Sequence, residues 1–105
     1  MVRVGYRFRI DPERLDEFRA AWREATRHIR ATYDGARGST LLVDADDPSR
    51  VLLLAQWESR DHWRRSRDDA PPTPAEQVML DIGTPEGVTF YDVLDDLADR
   101  VDDQG

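Results

Sequence analysis

Val51-Leu52-Leu53-Leu54-Ala55-Gln56-Trp57 is the stretch that decides the fold. Its first five residues are apolar without alternation, so a strand built from them presents apolar side chains to both faces of its sheet. One face of such a strand is covered by helices and the other by something else, for which a second subunit is a candidate. Upstream, Ser39 to Asp44 reads as a second strand, and Asp46-Asp47-Pro48-Ser49 between the two supplies the residues of a hairpin connection.

Working outward, Val2, Val4, Tyr6, Phe8 and Ile10 alternate with Arg3, Gly5, Arg7 and Arg9, the period of a half-buried strand. Asp11 followed by Pro12 is a helix start, since the carboxylate can cap free amides and proline fits the first turn. Leu15, Phe18, Trp22, Ala25, Ile29 and Tyr33 then step by three or four along one helical stripe, and Gly35 is expected to end it. Glu13, Asp16 and Glu17 lie near the start of this helix and Arg27, His28 and Arg30 near its end, as the macrodipole favours. Beyond the hairpin, Ser59 can cap a short polar helix whose one large apolar residue is Trp63. Thr73-Pro74-Ala75-Glu76 is a capping box leading into Val78, Met79 and Ile82. Thr84-Pro85-Glu86-Gly87 is expected to turn the chain into a last strand near Val88 to Val93.

The order strand, helix, strand, strand, helix, short helix, strand is that of an α+β, ferredoxin-like split βαβ with a four-stranded antiparallel sheet. It leaves one sheet face bare, and burying that face on a second copy gives a homodimer through sheet-to-sheet packing, a dimeric α+β barrel. One domain is expected over residues 1–94, followed by an acidic C-terminal tail over 95–105 in which Leu94, Leu97 and Val101 have the spacing of a short helix.

A chain of 105 residues has room for one core, and a domain this small gains much from a partner that covers exposed surface. Its 15 basic residues are all arginine, which removes lysine Schiff-base chemistry. With 22 acidic residues and a net charge of −7, phosphate-backbone recognition is disfavoured and no nucleic-acid partner is expected. There is no cysteine, so thiol nucleophiles and zinc–thiolate sites are excluded. No stretch has the length and apolarity of a membrane span, and a cytoplasmic location is expected.

The junction Leu54-Ala55-Gln56-Trp57-Glu58-Ser59-Arg60-Asp61-His62-Trp63 resembles the strand-to-helix junction of antibiotic biosynthesis monooxygenase domains, members of the dimeric α+β barrel superfamily. The resemblance implies a homodimer with a pocket in each subunit between the main helices and the sheet. Several members oxygenate aromatic polyketides without metal or flavin, the substrate itself donating the electron to oxygen. Others degrade haem, cyclise polyketides, dispose of quinones, or have no known activity. Trp63 falls where quinone-forming members place a pocket tryptophan. Haem degradation is disfavoured, because the chain has no asparagine for the first strand and no histidine after His62.

The remaining chemistry is sparse. His28 and His62 lack a second ligand at helical i+4 spacing, so no metal site is expected. No Gly-x-Ser-x-Gly elbow or phosphate-binding glycine loop is present, and no cofactor is expected. Trp63 and His62 are the candidate catalytic residues, with Arg7, Trp22, His28 and Tyr33 as candidate substrate-binding residues. Aromatic area with a few polar groups suits a flat phenolic or polyketide-like substrate. His62 is the candidate base and Arg7 the candidate partner of a phenolate. Two classes of function stay open: a cofactor-free monooxygenase or related polyketide cyclase, and a non-catalytic dimeric barrel that binds a small aromatic ligand. The enzyme is the favoured reading.

Overall fold

A computed structural model describes residues 1–68 and 71–98 of the chain. Four strands, β1 (Val2–Arg9), β2 (Ala36–Val43), β3 (Arg50–Trp57) and β4 (Thr84–Asp92), form one antiparallel sheet in the order β2-β3-β1-β4. Three α-helices, α1 (Leu15–Thr32), α2 (Arg60–Asp68) and α3 (Pro74–Ile82), complete the ferredoxin-like α+β domain.

The period of β1 sets which face is which. Val2, Val4 and Phe8 are buried on the helix side opposite Trp57, Ala55 and Val51 of β3, whereas Arg3, Arg7 and Arg9 lie on the other side opposite Gln56, Leu52 and Arg50. Asp11 caps the entry to α1 as its sequence implies, its carboxylate accepting from the Glu13 amide at 3.0 Å, but the first turn is a 3-10 turn over Pro12–Arg14. The stripe of α1 buries Phe18, Ala21 and Ala25 against Phe8, Val51 and Leu53 of the sheet.

Four local expectations change. Helix α1 stops at Thr32, before Gly35, and β2 begins at Ala36 and not at Ser39, with an irregular register between Ala36 and Gly38. Thr84 to Gly87 belong to β4, where Pro85 pairs with Phe8 and a register shift between Arg7 and Phe8 passes over Glu86. The helix that packs with α1 over the sheet is α3, seated by the Thr73–Glu76 capping box, while α2 rests on the end of β3. Leu94 to Ala98 are not helical: Leu94 and Leu97 are almost fully exposed, and the segment is tied back by a 2.9 Å ion pair between Asp96 and Arg3. Val101 and the rest of the expected tail from residue 99 lie outside the described residues.

Among the described residues no helix packs on the far side of the sheet. Leu52 and Leu54 are half-buried there, and Leu42 and Tyr91 remain 44% and 51% exposed. Gly5 sits beneath them: a Cβ at that position would lie 3.3 Å from the Tyr91 ring and 3.4 Å from a Leu52 methyl, so the small residue lets both side chains lie over β1. Among the described residues no helix is long and apolar enough to cross a membrane.

Candidate active site

Between α1, α3 and the helix-covered face of the sheet lies a cavity of about 270 Å³. Phe8, Leu53, Ala25, Ile29 and Met79 give it apolar walls. Polar groups sit at defined points on that lining. On one side Trp22, carried by α1, donates its indole N–H to the Ser39 hydroxyl on β2 at 2.9 Å. On the other, Tyr6 of β1 brings a phenol into the same wall as Arg67 and Glu76.

The Tyr6 hydroxyl is the centre of that second group. It accepts a 2.6 Å hydrogen bond from the Trp63 indole N–H and a 3.3 Å bond from the Arg67 guanidinium, both from α2. The same guanidinium lies 5.9 Å from the centre of the Tyr6 ring, 5.6 Å from that of the Trp63 ring, and 3.8 Å from a Glu76 carboxylate oxygen. The other Glu76 oxygen is occupied by the backbone amide and hydroxyl of Thr73, so the box that starts α3 also orients the acid facing Arg67. Trp63 packs edge-on against Phe90, with 4.7 Å between ring centres, and the Arg60 guanidinium lies over the Phe90 ring, 4.0 Å from its centre, as a cation–π partner. Burial raises the Tyr6 phenol above its ordinary value of 10.0, the Arg67 charge and the two hydrogen bonds opposing that rise without cancelling it. Tyr6 is therefore neutral at physiological pH.

The candidate residues from sequence separate into three places. Trp22 lines the main cavity, whereas Trp63 is not among its lining residues and is joined to it through the hydrogen bond to Tyr6, which is. Tyr33 lines an adjoining cavity of about 150 Å³ that shares Ile29, Arg67, Pro72 and Glu76 with the first. His62 and His28 point elsewhere. His62 Nδ1 is 2.6 Å from the Ser59 hydroxyl, its Nε2 is 3.7 Å from Glu58 and 3.9 Å from Asp34, and its ring lies against Gly35. Gly35 has φ of +85° and a Cβ there would come within 2.5 Å of the imidazole, so the turn after α1 is shaped to hold His62 at the domain edge. His28 is exposed on α1, 3.5 Å from the Thr32 hydroxyl. Arg7 lies across the sheet from the cavity, donating to the Thr89 hydroxyl at 2.8 Å, because the alternation of β1 sends odd-numbered residues to the bare face.

Tyr6, Arg67, Glu76 and Ser39 were not singled out from sequence. For Tyr6 a signal existed: it is the one residue with a polar tip in the inward row Val2, Val4, Tyr6, Phe8, and a half-buried phenol requires a partner. Arg67 carried no such signal, being one of four arginines on a short polar helix. Among the described residues there is no cluster of three or more His, Cys, Asp or Glu side chains arranged for a metal ion.

A ferredoxin-like domain with an aromatic cavity between its helices and sheet defines the broad class. The model of the antibiotic biosynthesis monooxygenase family matches residues 1–71, and the chain belongs to that family. Its fold is similar to the crystal structure of SnoaB, a cofactor-independent oxygenase from Streptomyces nogalater, at 22% identity, with 93% of this chain and 97% of that one covered and a TM-score of 0.73. It is also similar to Rv0793 from Mycobacterium tuberculosis, at 24% identity over 92% and 98% of the two chains with a TM-score of 0.65. A further structure described as an antibiotic biosynthesis monooxygenase matches at 20% identity over 90% and 100%, with a TM-score of 0.69. At these identities the likeness shows the fold. No curated protein matches the chain.

Proposed function

We propose that the chain is a small monooxygenase that needs no cofactor and acts on a flat phenolic or polyketide-like substrate held in the 270 Å³ cavity. The observation that carries this reading is the cavity itself: an aromatic and aliphatic slot with a phenol, a guanidinium and a carboxylate grouped at one part of its wall. Apolar walls supply binding area and a few fixed polar groups set orientation, the usual division of labour in small-molecule sites. The volume suits a small fused-ring molecule. Family membership and the fold shared with a cofactor-independent oxygenase support the reaction class.

The reaction closes without an external reductant. An activated CH₂ or aromatic C–H of the substrate is oxidised to C=O by one O₂, with one oxygen atom retained in the product and the other released as water. All four electrons that reduce O₂ come from the substrate. The protein's part is to orient the ring, exclude water and stabilise charge on the substrate oxygen, roles open here to Trp22, Trp63 and Arg67. Tyr33 belongs to the same proposal as a wall of the adjoining cavity. His62 and Arg7 would take part only through a rearrangement or a partner subunit.

The second part of the proposal is a homodimer that buries the bare sheet face. Leu42, Leu52, Leu54 and Tyr91 form an apolar surface there, with Arg7 and Arg9 beside it in contacts to Thr89 and Glu86. Incubation with anthrone or 1-naphthol in air tests the activity: oxygen uptake above the protein-free rate, with one O₂ consumed per quinone formed, is the expected result. Ligand binding with no uptake would reject the oxygenase and leave a cyclase or a binding protein. Sedimentation tests the assembly, and a species that stays at the 12.1 kDa monomer mass at micromolar concentration would reject the dimer.

A further inference from the structure

We propose that Tyr6 is a specificity-determining residue that donates its hydroxyl hydrogen to an acceptor oxygen of the bound ligand, so that the cavity selects aromatic ligands bearing a carbonyl or phenolate oxygen over those that lack one. The inference deepens the reading of the cavity as a ligand site and rests on it.

The argument is a count of donors and acceptors. A phenol oxygen has two lone pairs and one hydrogen. Trp63 at 2.6 Å and Arg67 at 3.3 Å are hydrogen-bonded to that oxygen, and an indole N–H and a guanidinium only donate. Both lone pairs of Tyr6 are thus engaged, and neither partner can receive its hydrogen. Among the described residues no carbonyl, carboxylate or hydroxyl accepts a hydrogen bond from it. The two donors fix the oxygen and polarise the remaining O–H, which makes it a stronger donor than an isolated phenol. Tyr6 lines the cavity together with Arg67, whose guanidinium is bonded to the Tyr6 oxygen, and this sets the O–H at the cavity wall. Burial keeps the phenol protonated, and the hydrogen is present at neutral pH. Glu76 completes the device by holding Arg67 from the other side, 3.8 Å away, so that the guanidinium is shared between a carboxylate and the phenol oxygen.

An acceptor on the ligand satisfies this O–H, whereas a purely hydrocarbon ligand leaves it unpaired after water is expelled. Leaving a donor unpaired costs more than a typical hydrogen bond returns. The expected preference is about tenfold in dissociation constant.

The test uses 1,4-naphthoquinone, which has acceptors and no donor, and naphthalene, which has neither, with binding followed by tryptophan fluorescence or calorimetry on the full chain. Wild type is expected to bind the quinone about tenfold more tightly. In Tyr6→Phe that ratio should fall to near one. Arg67→Met keeps the Tyr6 hydroxyl but removes the guanidinium, the other donor in that wall, and should keep the preference for the quinone, which leaves the inference testable if Tyr6→Phe does not fold. If both probes bind but the ratio is unchanged in Tyr6→Phe, or is lost in Arg67→Met, the donor is not Tyr6 and the inference fails while the cavity stands. If neither probe binds wild type, the cavity reading fails and takes the inference with it.

Discussion

The helix-covered face of the sheet holds two hydrophobic clusters that differ in kind. One gathers Phe8, Ile10, Phe18, Ala21, Ala25, Val51, Leu53, Met79 and Ile82, side chains without a conventional hydrogen-bonding group. The other is built on Val2, Val4 and Trp57, and the residues packed on it include Tyr6, Tyr33, Trp63 and Phe90. The buried members of the first have only packing to satisfy, and the polar tips on it belong to Tyr6 and Trp22, which pack against it from the rim. The second must also place phenol and indole polar atoms, and it does so by joining Tyr6 to Trp63 and to Arg67. The cavity lies where the two meet, with Phe8 and Met79 from the first, Trp57 from the second and Tyr6, which packs on both, in its lining. Stability and chemistry are thereby drawn from neighbouring but separable sets of residues.

The largest effect that tests this separation is expected in the first cluster. Phe18 is fully buried and meets Phe8 edge-on with 5.5 Å between ring centres. Phe18→Ala removes that contact and leaves a hole, which should cost about 3–5 kcal/mol. Urea unfolding measures it, and a loss below about 1 kcal/mol would mean that the cluster is not the structural core.

A smaller and mixed effect is expected at Trp63. Its helix, α2, has no other large apolar side chain, so the indole anchors the helix through Phe90 and the Tyr6 hydroxyl. Trp63→Phe retains much of the ring contact but loses the hydrogen bond, and should cost about 1 kcal/mol of stability. Both naphthalene and naphthoquinone should bind more weakly than to wild type, because the indole no longer braces Tyr6 and the part of the cavity wall that Tyr6 forms is looser. A large fall in melting temperature with unchanged affinity would assign Trp63 to the core alone and erase the distinction between the clusters.

These two residues also mark how far the sequence could be read. Phe18 sits in a stripe whose spacing declares its buried side, and the alternation of β1 likewise fixed which residues meet it. Trp63 was recognisable because its helix offers no other large anchor. Arg7 and Arg67 show the limit. Both are exposed arginines, and the one closer to Tyr6 in sequence lies on the wrong side of the sheet, while the one sixty-one residues away donates to its hydroxyl. Such pairing depends on where α2 comes to rest against the sheet, a matter of tertiary contact that local periodicity does not encode. His62 is chemically attractive for its residue type, yet it packs against a positive-φ glycine in the turn after α1, with the carboxylates of Asp34 and Glu58 beside it, and is not in the lining of the main cavity. The separation of β4 from its expected turn has a similar cause: Pro85 and Glu86 join the strand because a register shift against β1 accommodates them.

The smallest effect is expected in the alkaline limb of stability, and it isolates the phenol at the junction of the two clusters. Burial raises the Tyr6 pKa in the folded protein, the charge of Arg67 and the hydrogen bonds from Trp63 and Arg67 acting against that rise. A raised folded-state value means that the folded protein holds its phenolic proton more tightly than the unfolded chain does. Below pH 10.0 the phenol is neutral in both states and its contribution to stability is fully present. As the pH climbs past that value the unfolded chain ionises first, and stability is lost progressively through the folded-state pKa. Denaturant midpoints for wild type should therefore fall more steeply above pH 10.0 than those of Tyr6→Phe, which has no proton to release there. Ultraviolet difference spectra between the two proteins should place the missing transition above 10.0 as well. Arg67→Gln should move that transition further up, since the guanidinium is the largest influence that opposes burial. Parallel alkaline limbs in wild type and Tyr6→Phe, or a transition that drops on removal of Arg67, would show that the phenol is neither buried nor faced by that charge, and that the second cluster is no more polar in construction than the first.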